Sequence, residues 1–148
     1  MDLAKNIDIR EVAPQIAAAS NTDTNTDRLD MQGCDGVVFI TPITDCADTG
    51  VATITAEQNT SDSDSGMAAL SGATATATSA ANDDLNNTLL VLDVYRPQER
   101  YVQAAITSAT ANIAFGNTIA ILYKGRKCPI TAHASISQRT TVISPAEA

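Results

Sequence analysis

TLLVLDVYRPQERYVQAAIT, residues Thr88–Thr107, holds the densest apolar run of the chain, Leu89-Leu90-Val91-Leu92, and two of its three tyrosines. Leu90, Leu92 and Val94 recur at period two, and so do Val102, Ala104 and Ile106. Side chains on one face of a strand have that spacing, because successive residues point to opposite faces. Between the two runs stands Arg96-Pro97-Gln98-Glu99-Arg100. Pro97 fixes its own φ and drives Arg96 out of the helical region, so the chain must turn or cross over here. A hairpin with the three-residue loop Pro97–Glu99 sets Val94 opposite Val102, Leu92 opposite Ala104 and Leu90 opposite Ile106, all six on one buried face. A two-residue loop slips that register by one and sets leucine against Gln103, which burial disfavours. Against the three-residue loop stands Glu99, where a glycine is usual. The hairpin also opposes Arg96 and Arg100, an unfavourable like-charge pair unless an anion joins them. Either both side chains splay into water, screened by Glu99, or they hold a carboxylate on a partner.

Other strand candidates flank this pair at short spacing. Gly36–Thr41, GVVFIT, is rich in β-branched and aromatic residues, and Pro42 is expected to end it. Val51–Gln58 alternates, with Ala52, Ile54 and Ala56 on one face. Ala73–Thr78, ATATAT, alternates with small residues only, so one face is all alanine and its register is weakly specified. Thr118–Lys124, TIAILYK, is a further strong strand, and Leu29 and Met31 mark a weak one. Turn signals separate them: Gly33–Gly36, Asn59–Gly66, Ala80–Asn87 and Phe115-Gly116-Asn117. Upstream, Ile7 and Ile9 fit a short extended piece, Val12 and Ile16 fit a helical turn equally well, and Pro14 forbids a long helix. Residues 1–27 are expected as an N-terminal arm and polar linker, the alternative being that the segment packs on its own domain. Residues 28–148 are expected as a single domain with a C-terminal tail. Seven or eight short strands with no sustained helical period predict an all-β, jelly-roll-like β-sandwich of about eight strands, with a small closed barrel as the alternative.

The chain of 148 residues is long enough for one domain with a core, but alanine dominates its 44 % apolar content and aromatics are only 3 %. The core is expected to be thin, so that help from a second subunit is plausible. Leu89 and Val91 point opposite to Leu90 and Leu92, which makes this strand apolar on both faces and predicts a homo-oligomer, a dimer or a trimer. A formal charge of −8 argues against nucleic acid as a partner. No apolar run reaches the roughly 18–20 residues of a membrane span, and MDLAKNIDIREV has no signal-peptide core, so a soluble protein made in a host cytoplasm is expected. Cys34, Cys46 and Cys128 have no metal-type spacing and are expected as free thiols.

His133 is the single histidine. Asp23-Thr24-Asn25-Thr26-Asp27 starts like a calcium loop, but Arg28 stands where glycine is required and Cys34 where glutamate is. Asp62-Ser63-Asp64 and Asp83-Asp84 fit solvated turns. Asn59-Thr60-Ser61 matches a glycosylation triplet that nothing else supports. No phosphate loop or nucleophile elbow is present. The expectation is a protein that is not an enzyme and uses no cofactor. Positive charge does concentrate: Arg96, Arg100, Lys124, Arg126 and Lys127 make five of the nine basic residues and lie near Tyr95, Tyr101 and Tyr123. Such a patch suits docking to an acidic protein surface, with Ile7, Ile9 and Val12 of the arm as additional partner contacts.

The segments LLVLDVYRPQERYVQAAIT, LDMQGCDGVVFITPI and IAILYKGRKCPI together resemble a family of small phage-encoded proteins that accompany the major capsid protein of tailed bacteriophages. The resemblance covers roughly residues 29–130, and Leu92–Val102, LDVYRPQERYV, is its best motif. Some members are cement, or decoration, proteins with a jelly-roll fold. The resemblance implies a virion protein on the capsid exterior that binds the major capsid protein as a dimer or trimer and stabilises the shell by bridging its subunits. A host- or carbohydrate-binding β-sandwich module is the alternative, and it requires exposed aromatic rings.

Overall fold

The structure, a computed structural model, describes residues 3–126 and 129–142. After one helical turn, α1 (Leu3–Asn6), the described residues form eleven strands: β1 (Asp8–Ala13), β2 (Ile16–Ala19), β3 (Asp23–Asn25), β4 (Leu29–Asp30), β5 (Gly36–Cys46), β6 (Val51–Asn59), β7 (Ala68–Thr78), β8 (Thr88–Tyr95), β9 (Tyr101–Ala109), β10 (Ile113–Phe115) and β11 (Thr118–Tyr123). All pairings are antiparallel. In the first sheet β5 pairs with β8 along one edge and with β11 and then β10 along the other, and these pair with β1 and β2. In the second sheet β9 lies between β6 and the short pieces β3 and β4, and β7 pairs with β6. Three strand positions are therefore broken in two: β1 and β2 at Pro14, β3 and β4, and β10 and β11 at Gly116. Counting each broken strand once leaves eight positions, in the order 1-8-3-6 and 2-7-4-5. That is the jelly-roll order of two interlocked Greek keys.

The expected β8–β9 hairpin does not form. β8 pairs with β5 in one sheet and β9 with β6, β3 and β4 in the other, so Arg96–Arg100 is a crossover between sheets. Leu90, Leu92, Val94, Val102, Ala104 and Ile106 are nevertheless all buried in the core. Period-two alternation places a face toward the core; it is the same whether the second strand lies beside the first or across the sandwich from it. The left-handed position that a hairpin loop needs falls instead on Arg96 (φ 54°), whose N–H donates to the Asp35 carbonyl at 2.7 Å.

Pro42 does not end its strand; β5 continues to Cys46. The Pro42 carbonyl accepts from Gly116 N–H at 2.9 Å. The N and C=O of one extended residue face the same edge, so the missing donor of Pro42 lies at the break between β10 and β11, where no ladder partner is lost. The segment 8–19 is extended, with no helical turn at Val12, and it is paired into the first sheet: of the two readings of the N-terminal segment, packing on its own domain is the one seen. Part of the polar run that follows is also drawn into a ladder, as β3 on β9.

Phe39 and Phe115, with Ile43, Ile54, Ile113 and Leu122, are among the largest fully buried side chains of the core. On the second sheet Ala52 and Ala56 of β6 and Ala73, Ala75 and Ala77 of β7 face inward, as the alternation predicts. The outer faces of the two sheets differ. On the second, Thr53 bonds Thr76 at 3.1 Å and Thr55 bonds Thr74 at 3.2 Å, a polar surface of hydroxyl pairs. On the first, Val91, Ile40 and Ile119 stand side by side in register, and the next row runs Asp93, Val38, Ile121 and Ile9.

Candidate functional site

The first sheet's outer face carries the least-covered apolar surface. Leu89 is 58 % exposed and Val91 52 %, and Ile119 is also exposed. A face of this kind, on a strand whose other face is core, marks a surface meant for covering.

At the end of this face where β5 begins lies an aromatic corner. Gly36 stands in register between Tyr123 and Tyr95. A Cβ on Gly36 would meet Tyr123 Cζ at 2.3 Å, so only glycine lets the ring lie over the strand. The two tyrosine rings stack across it, centroids 6.4 Å apart and planes within 10°. The Tyr123 hydroxyl donates to Asp93 Oδ1 at 2.6 Å. Burial, and then this carboxylate, raise the Tyr123 phenol above the usual tyrosine range. Two cations close on the Tyr95 ring. The Arg96 guanidinium carbon lies 5.1 Å from its centroid and Lys124 Nζ 4.6 Å, with Lys124 also donating to the Tyr95 hydroxyl at 3.1 Å. Both residues hold left-handed backbone, φ 54° and 52°, a conformation that costs a side-chain-bearing residue roughly 1–2 kcal/mol. The strain sits where each strand leaves the sheet beside Tyr95.

The other basic residues are placed differently. Arg100 does not oppose Arg96. Its Nε donates to Asp30 Oδ1 at 2.9 Å and its NH2 to Oδ2 at 2.7 Å, a two-bond grip on a carboxylate of its own chain. The Asp30 hydrogen bonds push the Arg100 guanidinium further above its ordinary value, and Arg100 in turn holds the Asp30 carboxyl below its own. Of the two fates foreseen for this arginine, it binds a carboxylate, but one within the molecule. An open depression of about 790 Å³ separates Met31–Asp35 from Arg96–Arg100, and Arg126 borders it with its exposed side chain. Lys127 lies outside the described residues. Ile9 joins the apolar outer face beside Ile121, Ile7 is half-buried just before β1, and Val12 is buried in the core. Val12, expected as a partner contact, instead turns its side chain into the sandwich interior.

The remaining motifs serve the fold. Asp62 and Asp64 both grip Arg28, the first at 2.7 Å. Asp84 accepts from the N–H groups of Ala80 and Ala81 and from the Ser79 hydroxyl, closing the 79–85 turn around the buried Cys46 thiol. Asn59 of the glycosylation triplet is buried, and its amide donates to the carbonyls of Ser63 and Ser65 at 2.9 and 3.0 Å. His133 bonds Ser135 next to it. Among the described residues no three His, Cys, Asp or Glu side chains are gathered to hold a metal ion, and no described helix is long and apolar enough to cross a membrane.

Tyr95 and Tyr123 were not anticipated as site residues. The available signal was their spacing from Gly36: each ends a strand that pairs with the strand Gly36 begins. No family model matches the chain, and no curated protein is similar to it. The fold is similar to that of PBSX exported protein XepA in its crystal structure, with a TM-score of 0.54 at 13 % identity over 97 % of this chain and 45 % of that one. The likeness is one of fold, and the chain spans less than half of that protein.

Proposed function

We propose that this is a structural phage protein that sits on the outside of the capsid and ties major capsid protein subunits together, without enzymatic activity. The observation that carries the reading is the uncovered apolar face of the first sheet ending in the cationic corner of Tyr95, Arg96 and Lys124. On a chain of net charge −8, long-range charge repels an acidic shell, so attraction must come from this corner. Planar and ammonium donors there fit carboxylates at the edge of an apolar contact. The fold likeness to XepA, a phage protein, supports the same setting. Many copies on one shell add by multivalency, so that a modest contact per copy suffices.

A cryo-electron map of the phage particle that carries this chain tests the reading. The expected density is a two-layer sandwich over the junction between shell subunits, with the first sheet facing the shell. Density confined to the tail, or no copies on the particle, overturns it.

The carbohydrate-binding alternative gains one observation, since Tyr95 is 47 % exposed rather than spent in the core. Arg96 and Lys124 both approach that ring, however, so a sugar would have to displace a cation to stack there.

A further inference from the structure

Beyond the outer face, the first sheet has an open edge. β8 pairs only with β5 among the described residues. The Ile43 carbonyl, opposite Thr88, accepts on the β8 side from Asn87 N–H at 3.0 Å, whereas the Pro42 carbonyl points to Gly116 on the other side. Backbone direction alternates along a strand. Leu90, Leu92 and Val94 therefore spend their backbone groups on β5, and Leu89, Val91, Asp93 and Tyr95 aim theirs outward, with no partner among the described residues. The β7 and β1 edges are guarded. β7 carries Gly72 at φ 77° and a register shift against β6, which bends it away from flat pairing. At β1 the Glu11 N–H already donates to Ser135 Oγ at 3.3 Å, so the C-terminal segment lies over that edge. β8 has no proline, lysine, glycine or bulge to blunt it, and such an edge is a template for another strand.

We infer that the occupant is a second copy of this chain, its β8 paired antiparallel with the first about a two-fold axis at Leu92. The register follows from the outward-aimed residues. A two-fold at Asp93 sets that carboxylate against itself, which is unfavourable. One at Val91 sets Tyr95 against Asn87, which lies beyond the strand at φ 62°. One at Leu92 pairs Leu89 with Tyr95 and Val91 with Asp93, each pair exchanging two backbone bonds, so all four outward residues are satisfied in both copies. Such an edge is self-complementary, as a two-fold interface requires. The pairing joins the two first sheets, and on their outer face each Leu89 lies beside the other copy's Tyr95 and each Val91 beside its Asp93. It does not rest on attachment to a shell.

The test combines sedimentation with backbone hydrogen exchange on the full chain. The expected result is a dimer at micromolar concentration in which the Leu89, Val91, Asp93 and Tyr95 amides are protected, and lose protection on dilution. The Leu90, Leu92 and Val94 amides stay protected throughout. Val91→Pro removes a donor that no bond within the subunit uses, so it should leave the melting temperature of the subunit close to unchanged and give a monomer. A wild-type monomer across that range overturns the inference, and so does a dimer whose four outward amides exchange freely. If Val91→Pro fails to fold, the wild-type exchange pattern alone decides.

Discussion

Leu92 and Val91 are neighbours on β8 whose side chains point to opposite faces, and truncating each to alanine separates the two faces by energy. Leu92 is 7 % exposed, so Leu92→Ala removes three buried carbons, worth about 2.4 kcal/mol at about 0.8 kcal/mol each. The cavity left behind adds to this, and buried leucine sites span about 2–5 kcal/mol. β8 is an edge strand that can settle into the space, so the cost should lie near the lower end, about 2–3 kcal/mol. For a domain of this size each kcal/mol lowers the midpoint by about 2–4 °C, giving a drop of about 4–12 °C. Val91 is 52 % exposed, and Val91→Ala removes two half-covered carbons, about 0.8 kcal/mol and about 2–3 °C. Thermal unfolding by circular dichroism, at concentrations too low for self-association, measures both. Equal drops, or the larger drop at Val91, would refute the assignment of the two faces.

Gly36→Ala should drive the far end of the Tyr123 ring off the strand and away from Asp93; the loss of the Tyr123–Asp93 hydrogen bond is read in the tyrosine absorbance titration, and an unchanged titration would count against the corner as described. Arg100→Ala should lower the melting midpoint by removing its grip on Asp30 while particle occupancy stays full, whereas Arg96→Ala should leave the midpoint nearly unchanged and reduce occupancy; the reverse pattern would end the docking role of Arg96. The Tyr123 phenol is held protonated in the folded state above its unfolded value of about 10. Its contribution is therefore complete below about pH 10 and falls as pH rises further, because the unfolded chain then loses a proton that the folded chain keeps. Tyr123→Phe should flatten that alkaline decline in urea-unfolding stability, and an undiminished decline would assign it to other groups.

Sequence patterning reported side-chain facing far better than strand partnership. The two period-two runs around Arg96-Pro97 placed six residues in the core correctly, yet their alternation carries no sign of which strand lies beside which. The crossover was legible only as the absence of a hairpin glycine at Glu99. Pro42 looked like a strand end because a proline costs one ladder bond, and nothing local shows that the neighbouring strand is itself broken at Gly116. The alanine face of β7 was plain from ATATAT. The site was half legible: the clustering of Arg96, Lys124 and Tyr95 follows from strands that end together. The capture of Arg100 by Asp30 joins residues far apart in the chain, and no local pattern announces it. Likewise Arg28, which spoils the calcium-loop match, turned out to be the partner of the acidic pair Asp62 and Asp64.

The pairing of β1 with β11 sets an order on synthesis. Asp8 lies opposite Leu122, so β1, the first of the described strands, has no ladder until β11, the last of them, has emerged. β5 also waits, with one edge completed by β8 and the other only by β10 and β11. Pairings of such long reach close slowly, because loop entropy is lost before the contacts form. A nascent chain that stops after β8 holds Val37, Phe39, Leu90 and Leu92 with β9 still missing across the sandwich, and a flat apolar pair of strands in that state is prone to associate with its neighbours. Truncations from the C-terminus should therefore yield insoluble chains until β11 is complete, rather than smaller folded domains.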